Sequence, residues 1–292
     1  MVKSGETIKC PAGQKGRPRL HNVLECWIIF SHLQRVLQVR ESVEIVRLST
    51  VFNCGLLVGL ILGMKKVAIL QSNYIPWKGY FDLIASVDEF IIFDDMQYTR
   101  RDWRNRNQIK TPQGQQWLTI PVQVKGKYHQ KINETKVENE GWQETHWKVL
   151  KQNYRQAPCY SEIMALIEPL YLHRTFSLLS EVNRAFMEMI LKYLEIKTVI
   201  TCSSDYLCVD GKTERLVSLC SQAGATEYIS GPAARDYVQK ERFEEAKVDL
   251  TWFDYAGYPE YPQLYGEFTH GVSILDLLFN CGKDAPQYMK YV

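Results

Sequence analysis

The stretch Val67-Ala68-Ile69-Leu70, followed at once by Gln71-Ser72-Asn73, constrains the fold more than any other part of this chain. Four apolar residues halted by three polar ones read as a short buried strand entering a turn. Pro76 and Gly79 bend the chain, and Phe81, Leu83, Ile84 and Val87 then recur at helical spacing. Strand, tight polar turn and helix open a doubly wound α/β domain. Ligands of such sheets bind beyond the carboxyl ends of the strands. Gln71 and Asn73 are therefore expected at a ligand mouth, against the competing reading of a turn whose Asn and Pro only shape the backbone.

The later chain extends this pattern. Glu89–Phe93 is a second apolar strand ending in Asp94-Asp95, expected beside the first because sequential strands usually neighbour each other. A polar, Arg-rich loop covers Gln97 to Asn107. Thr111-Pro112-Gln113-Gly114 marks a turn before an alternating strand over 116–122, which suggests a hairpin on the sheet edge. Lys125 to His129 is a second basic loop. Helical stripes then run through Trp147, Leu150 and Tyr154, through Ile163 to Leu170, and from Phe176 to Leu194. Thr198–Cys202 returns to strand, Glu214–Ala223 is a helix closed by Gly224, and Glu227–Ile229 is a strand, giving a βαβ unit. Val248–Phe253 is the last strand, and Ser273 caps a final helix with Asp276 at its third position. The expected fold class is α/β, with a Rossmann-like, mostly parallel sheet, flanking helices and a helical insertion.

The first 63 residues do not match the rest. Val51–Leu62 is a compact apolar run, shorter than the about 20 residues a membrane-spanning helix needs. It also lies too far along the chain for an ordinary signal peptide. Met64-Lys65-Lys66 leads directly into the first core strand, so 1–63 is read as an extension before a mis-assigned start, or poorly ordered, and 64–292 as the α/β domain. An N-terminal anchor is the competing account of the apolar run. The eight cysteines form no C-x-x-C pair, which fits small core residues in a reducing, cytoplasmic compartment. A formal net charge of +2 gives no global drive toward nucleic acid or membrane.

Four polar clusters converge if the strand polarity is as read: Gln71 with Asn73; Asp94, Asp95 and Gln97; the Arg loop; and Gly231 to Arg235. Arg100, Arg101, Arg104 and Arg106 surround Trp103. Guanidinium forks suit phosphate oxygens, and an indole face suits a base or sugar ring. The bland alternative is a solvated basic loop paired with Asp94, Asp95 and Asp102. Asp94 and Asp95 could hold Mg2+ or act as a base, but adjacent strand residues face opposite ways, so one of them is structural. His129 and His270 stand among Gly and polar residues as candidate proton carriers. No G-x-S-x-G, phosphate-binding P-loop, H-E-x-x-H or zinc spacing occurs. No metal site is assigned, and a nucleotide or Mg2+ is the only cofactor these residues suggest.

The order LQSNYIPWKGYFDLI, DEFIIFDDMQYTRRDWRNRN, GPAARDY and YPEYPQLYGEF with HGVSILDLLFNCG resembles the WbqC-like protein family of bacteria, from Met64 to Val292. That family is known largely from O-antigen and surface-polysaccharide gene clusters, and a glycine (aminoacyl) transfer role has been suggested for it. The resemblance implies a transferase that binds a nucleotide-sugar or an activated acyl donor and modifies an amino sugar by aminoacyl or acyl transfer. Asn73, Asp94 and Asp95 would line the reaction centre, the Arg loop and Arg235 would hold phosphates, and Trp103 or Tyr261 would stack. A non-catalytic sugar-nucleotide-binding accessory protein of a glycan-assembly complex is the alternative. A second likeness, at the level of fold, is to nucleotidylyltransferases and adenylate-forming relatives. Trp77-Lys78-Gly79-Tyr80 occupies the place of their H-x-G-H turn, and Ile229 to Arg235 is similar to their I-S-S-T-x-x-R segment. Trp77 and Tyr80 stand where two phosphate-stabilising histidines would be, which argues against nucleotidyl transfer but not against nucleotide binding. Nothing in the residues fixes the oligomeric state.

Met1–Gly63 shows no periodic apolar face able to dock on the later core. A chain beginning at Met64 is therefore expected to melt at the temperature of the longer chain. A large drop on truncation, or native protein recovered only with membranes, would contradict that.

Overall fold

The structure is a computed structural model that describes residues 63–138 and 141–292. Apart from Gly63, the extension expected over 1–63 and its apolar run fall outside the described residues. The chain enters through β1 (Lys66–Leu70), α1 (Lys78–Ala85) and β2 (Glu89–Ile92). A hairpin of β3 (Arg106–Thr111) and β4 (Gly114–Thr119) follows, then helices α2 (Trp142–Tyr154), α3 (Tyr160–Leu172) and α4 (Leu179–Tyr193). β5 (Val199–Cys202), α5 (Lys212–Gln222), β6 (Glu227–Ser230), α6 (Lys240–Glu245), β7 (Asp249–Trp252) and α7 (Ile274–Cys281) complete the fold.

Five strands form one parallel sheet in the order β5-β2-β1-β6-β7. The chain builds outward in one direction through β1, β2 and β5, and in the other through β6 and β7. This is the Rossmann-type arrangement, and the crevice beyond the carboxyl ends of β1 and β6 is its topological switch point. Strand alternation sends side chains to two layers. Ala68, Phe90 and Ile92 pack with α1, the helical insertion and α7, while Val67, Ile69 and Ile91 pack with Leu216 and Leu219 of α5 and Phe243 of α6. Phe81, Phe90, Phe186 and Phe279 are fully buried, each worth roughly 1.5–3 kcal/mol of apolar transfer.

Two expectations are corrected. The hairpin is a separate two-stranded sheet and does not extend the edge of the main one; Arg106, expected in the loop, is its first residue. Its inner face buries Asn107, Ile109 and Leu118, which seat it on the helical insertion's core instead. β5, α5 and β6 form the expected βαβ crossover, which passes over β2 and β1 because those strands lie between β5 and β6. Ser273 does cap α7, accepting from the Leu275 amide at 3.2 Å, but Asp276 does not reach back to complete the box. Its carboxylate is fully buried and accepts from Tyr154 and Tyr261 at 2.6 and 2.8 Å.

The turn after β1 is pinned to the helical insertion through Tyr74. Its hydroxyl meets His146 Nδ1 at 2.9 Å and the Tyr171 hydroxyl, while His146 Nε2 meets the Thr119 carbonyl at 3.2 Å. Burial pulls the His146 imidazole down to about 4. The unfolded chain binds a proton there near the ordinary value of about 6.5, so it holds more protons than the fold in between, and stability falls as pH drops through that window. By pH 4 the loss is roughly 3 kcal/mol, at about 1.4 kcal/mol per unit. Urea unfolding from pH 7 to 4 should show this slope, and His146→Gln should start less stable but lose the slope. Equal slopes in both proteins would contradict the buried neutral imidazole.

Candidate functional site

The turn that leaves β1 is held from three sides. The Ser72 amide and hydroxyl donate to Asp94 at 2.8 and 2.6 Å, which locks the ends of β1 and β2 together. Asn183 of α4 donates to the Ser72 hydroxyl at 3.0 Å and to the Arg104 carbonyl at 2.9 Å. Arg104 donates one terminal nitrogen to Asn73 Oδ1 and the other to Gln71 Oε1, with Asp102 3.7 Å away. Further on, Ile75 has φ of +38°, a strained region for a β-branched residue. Asn107 Nδ2 supports it by donating to the Tyr74 and Ile75 carbonyls at 3.1 and 3.0 Å. Strain that neighbouring contacts over-determine in this way concentrates at ligand sites.

Two cavities flank this turn at the switch point. The first, about 560 Å³, is walled by Trp77, Tyr80, Trp103, Tyr255, Pro76 and Pro232, with Asn73, Asn107 and His270 as polar points. Trp77 contacts Tyr255 and Tyr258 at 5.4 and 5.5 Å between ring centres and folds back over Gly79. A Cβ on Gly79 would lie 2.3 Å from the indole, so the Trp-Lys-Gly-Tyr sequence needs its glycine to turn that ring toward the cavity. Lys78 runs the other way, buried between the rings of Tyr258 and Tyr261 and donating to the Pro259 carbonyl at 2.8 Å. Burial lowers its pKa to about 8. His270 is held below the usual imidazole range by partial burial and by the Lys78 charge, so it faces the cavity neutral near pH 7.

The second cavity, about 380 Å³, has a different chemistry. It is lined by Arg104, Gln71, Ser230 and Tyr237, and by Gly211, Lys212 and Arg215 at the amino end of α5. Unpaired amides and the helix dipole make that end favourable to anions, and Lys212 and Arg215 add charge. Gly211 has φ of +97°, and a Cβ there would strike Glu214 at 2.2 Å, so the tight entry to α5 requires glycine. The two cavities share Leu70, Gly231 and Ala233. One is aromatic and nearly uncharged; the other is cationic.

The structure thus brings Gln71, Asn73, Trp77, Trp103, Arg104, Gly231 and His270 to one place, with Gly79 beneath Trp77. Other expected site residues lie apart from it. Arg100 donates to the Val124 carbonyl at 2.8 Å. Arg106 stacks on Trp117 with its guanidinium carbon 4.1 Å from the ring centre, and Arg235 lies 5.3 Å from the centre of Trp252. Gln97 donates to the Tyr128 carbonyl, and His129 is exposed on that same basic loop. Tyr261, expected to stack on a ligand, is buried with its hydroxyl on Asp276. Asp94 and Asp95 line a third, smaller cleft of about 230 Å³ with Ser203 and Arg184. Burial raises the Asp94 carboxyl above its ordinary range despite the Ser72 bonds, and Asp95 pairs with Arg215 at 3.4 Å. Among the described residues no group of three or more His, Cys, Asp or Glu side chains is placed to hold a metal ion. No helix among them is long and apolar enough to cross a membrane.

Lys212, Arg215 and Tyr255 escaped the sequence reading. The available signal was Gly211 immediately before a helix that begins Lys212-Thr213-Glu214-Arg215, with two basic residues three apart. Asp94 and Asp95 should respond differently to substitution. Asp94→Ala removes two charge-assisted bonds and leaves the Ser72 amide buried without a partner, an expected loss of about 1.5–3 kcal/mol in urea unfolding. Asp95→Asn breaks a partly solvated pair and is expected to cost under about 1 kcal/mol. Equal losses would contradict the assignment of the β1–β2 lock to Asp94.

Against known proteins, the family model described as "WbqC-like protein family" matches residues 71–288. The uncharacterized protein Rv1507c of Mycobacterium tuberculosis is 58% identical over 228 residues, which span 78% of this chain and 99% of that protein. No solved structure matches.

Proposed function

The chain belongs to the WbqC-like protein family, and from that premise we propose that it is a transferase of bacterial surface-polysaccharide (O-antigen) biosynthesis. It binds a nucleotide or nucleotide-sugar and transfers an aminoacyl, such as glycyl, or acyl group to an amino sugar. The observation that carries the binding half is the pair of cavities meeting at Leu70, Gly231 and Ala233. The cationic cavity suits phosphate oxygens: Arg104, Lys212 and Arg215 line it, and Gly211 and Lys212 place it at the amino end of α5. The aromatic cavity suits a base or sugar ring laid against Trp77, Trp103 or Tyr255. His270 is the proton acceptor of this reading, since it lines the same cavity and its imidazole is held below the usual range.

One observation favours a second reading. Asp94 and Asp95, the carboxylates nearest the strand ends, are already engaged by Ser72 and by Ser203 and Arg215. A sugar-nucleotide-binding protein without turnover needs no free carboxylate. Release of the acyl donor's leaving group in the presence of an amino-sugar nucleotide separates the two readings.

Calorimetry with a panel of uridine, guanosine and thymidine diphosphate sugars tests the binding half. One class should bind, Lys212→Ala and Arg215→Ala should each weaken it by about 1.5–3 kcal/mol, and added salt should weaken the wild type more than either variant. Binding left intact by both substitutions would remove the phosphate from the cationic cavity.

A further inference from the structure

The hydrogen bonds of Arg104 carry a consequence for ligand chemistry. A guanidinium has donors only, so the atoms it meets on Gln71 and Asn73 must be the amide oxygens. Each amide is planar, so fixing its oxygen toward Arg104 turns its NH2 group away. Among the described residues neither amide nitrogen has a hydrogen-bond acceptor in the protein, and both side chains are half-buried rather than free in solvent. Gln71 lines the cationic cavity and Asn73 the aromatic one. Swinging either amide round would set NH2 against guanidinium, two donors face to face, at a site where Arg104 is also pinned by Asp102 and, through its carbonyl, by Asn183.

We propose that Arg104 is a positioning residue that presents Gln71 and Asn73 as N–H donors, one into each cavity. The site thereby selects a ligand with acceptor oxygens on both sides of the β1 end. On the cationic side these are the oxygens of a phosphate or diphosphate. On the aromatic side the matching group is a carbonyl or hydroxyl oxygen of the attached moiety; an ammonium group is excluded from Asn73 because two donors would meet there, so an acceptor amine enters only in its neutral form. The ligand part of this inference rests on the nucleotide reading above; the orientation of the amides does not.

The test uses the full chain, inorganic pyrophosphate, and UDP-N-acetylglucosamine beside UDP-glucosamine as probes. Gln71→Met deletes one donor without adding charge and should lose about tenfold in pyrophosphate affinity. Asn73→Leu should keep pyrophosphate binding, lose about tenfold for UDP-N-acetylglucosamine, and erase the wild type's preference for it over UDP-glucosamine. Gln71→Glu and Asn73→Asp place a carboxylate on Arg104 and should melt at or above the wild-type temperature. In an Arg104→Met background those same carboxylates should instead lower the melting temperature. Both neutral variants binding like wild type, or both carboxylate variants melting well below it in the Arg104 protein, overturns the proposal. A wild type that binds no probe overturns the nucleotide reading and the ligand half together, and the melting temperatures then decide the orientation alone.

Discussion

The fold's functional edge depends on one guanidinium. Arg104 stands where the chain leaving β1, the loop leaving β2 and helix α4 come together, and it bonds Gln71 and Asn73 at once. Without it the polar turn would have to satisfy two half-buried amide oxygens by other means, and the boundary between the two cavities would lose its fixed shape. An arginine is suited to this because its planar fork reaches two acceptors in a set geometry, which an ammonium on a flexible stem does not. The arginine most obviously offered for phosphate is therefore largely spent on holding the turn. Lys212 supplies the less committed charge, because Arg215 is paired with Asp95 and donates to the Val209 carbonyl.

A second constraint supports the aromatic side. The segment from Phe253 to Val272 carries Tyr255 and His270 but contains no helix or strand of its own. It is fastened from beneath by the buried carboxylate of Asp276, which accepts from Tyr154, Tyr261 and Gln263. Lys110 of the hairpin donates to Gln263 at 2.8 Å from the other side. Burial raises the Asp276 carboxyl, while these donors oppose that shift. A buried polar group with every bond made can specify one loop conformation, and one with a bond missing is costly. Tyr261 belongs to this support, which is why its ring does not face a ligand.

Much of the architecture was legible in the sequence because its signals are local. Periodicity located the helices, and the abrupt change from Leu70 to Gln71 located the strand end, beside which two cavities lie. Sheet order was not legible. Lys65 and Thr226, which bond across the start of β1 and β6, are 161 residues apart, and no neighbouring residue records that pairing. The same limit applies to individual side chains. Arg235 and Arg106 have the residue type that phosphate binding needs, yet Arg106 lies against Trp117 across the β3–β4 hairpin and Arg235 against Trp252 of the neighbouring strand β7. Asp94 reads as a free carboxylate until the parallel register of β1 and β2 sets Ser72 beside it. Lys212 and Arg215 read as ordinary exposed charges at a helix start until β6 places a cavity against them.

The central claim is that the ligand straddles the switch between β1 and β6. A crystal structure of the chain soaked with the tightest-binding nucleotide-sugar tests it most directly. The account predicts phosphate density between Gln71, Lys212 and Arg215, with the ring against Trp77, Trp103 or Tyr255 and no movement of Arg104 off Gln71 and Asn73. Density in the Asp94–Ser203 cleft, or against Arg100 or Arg235, would contradict it.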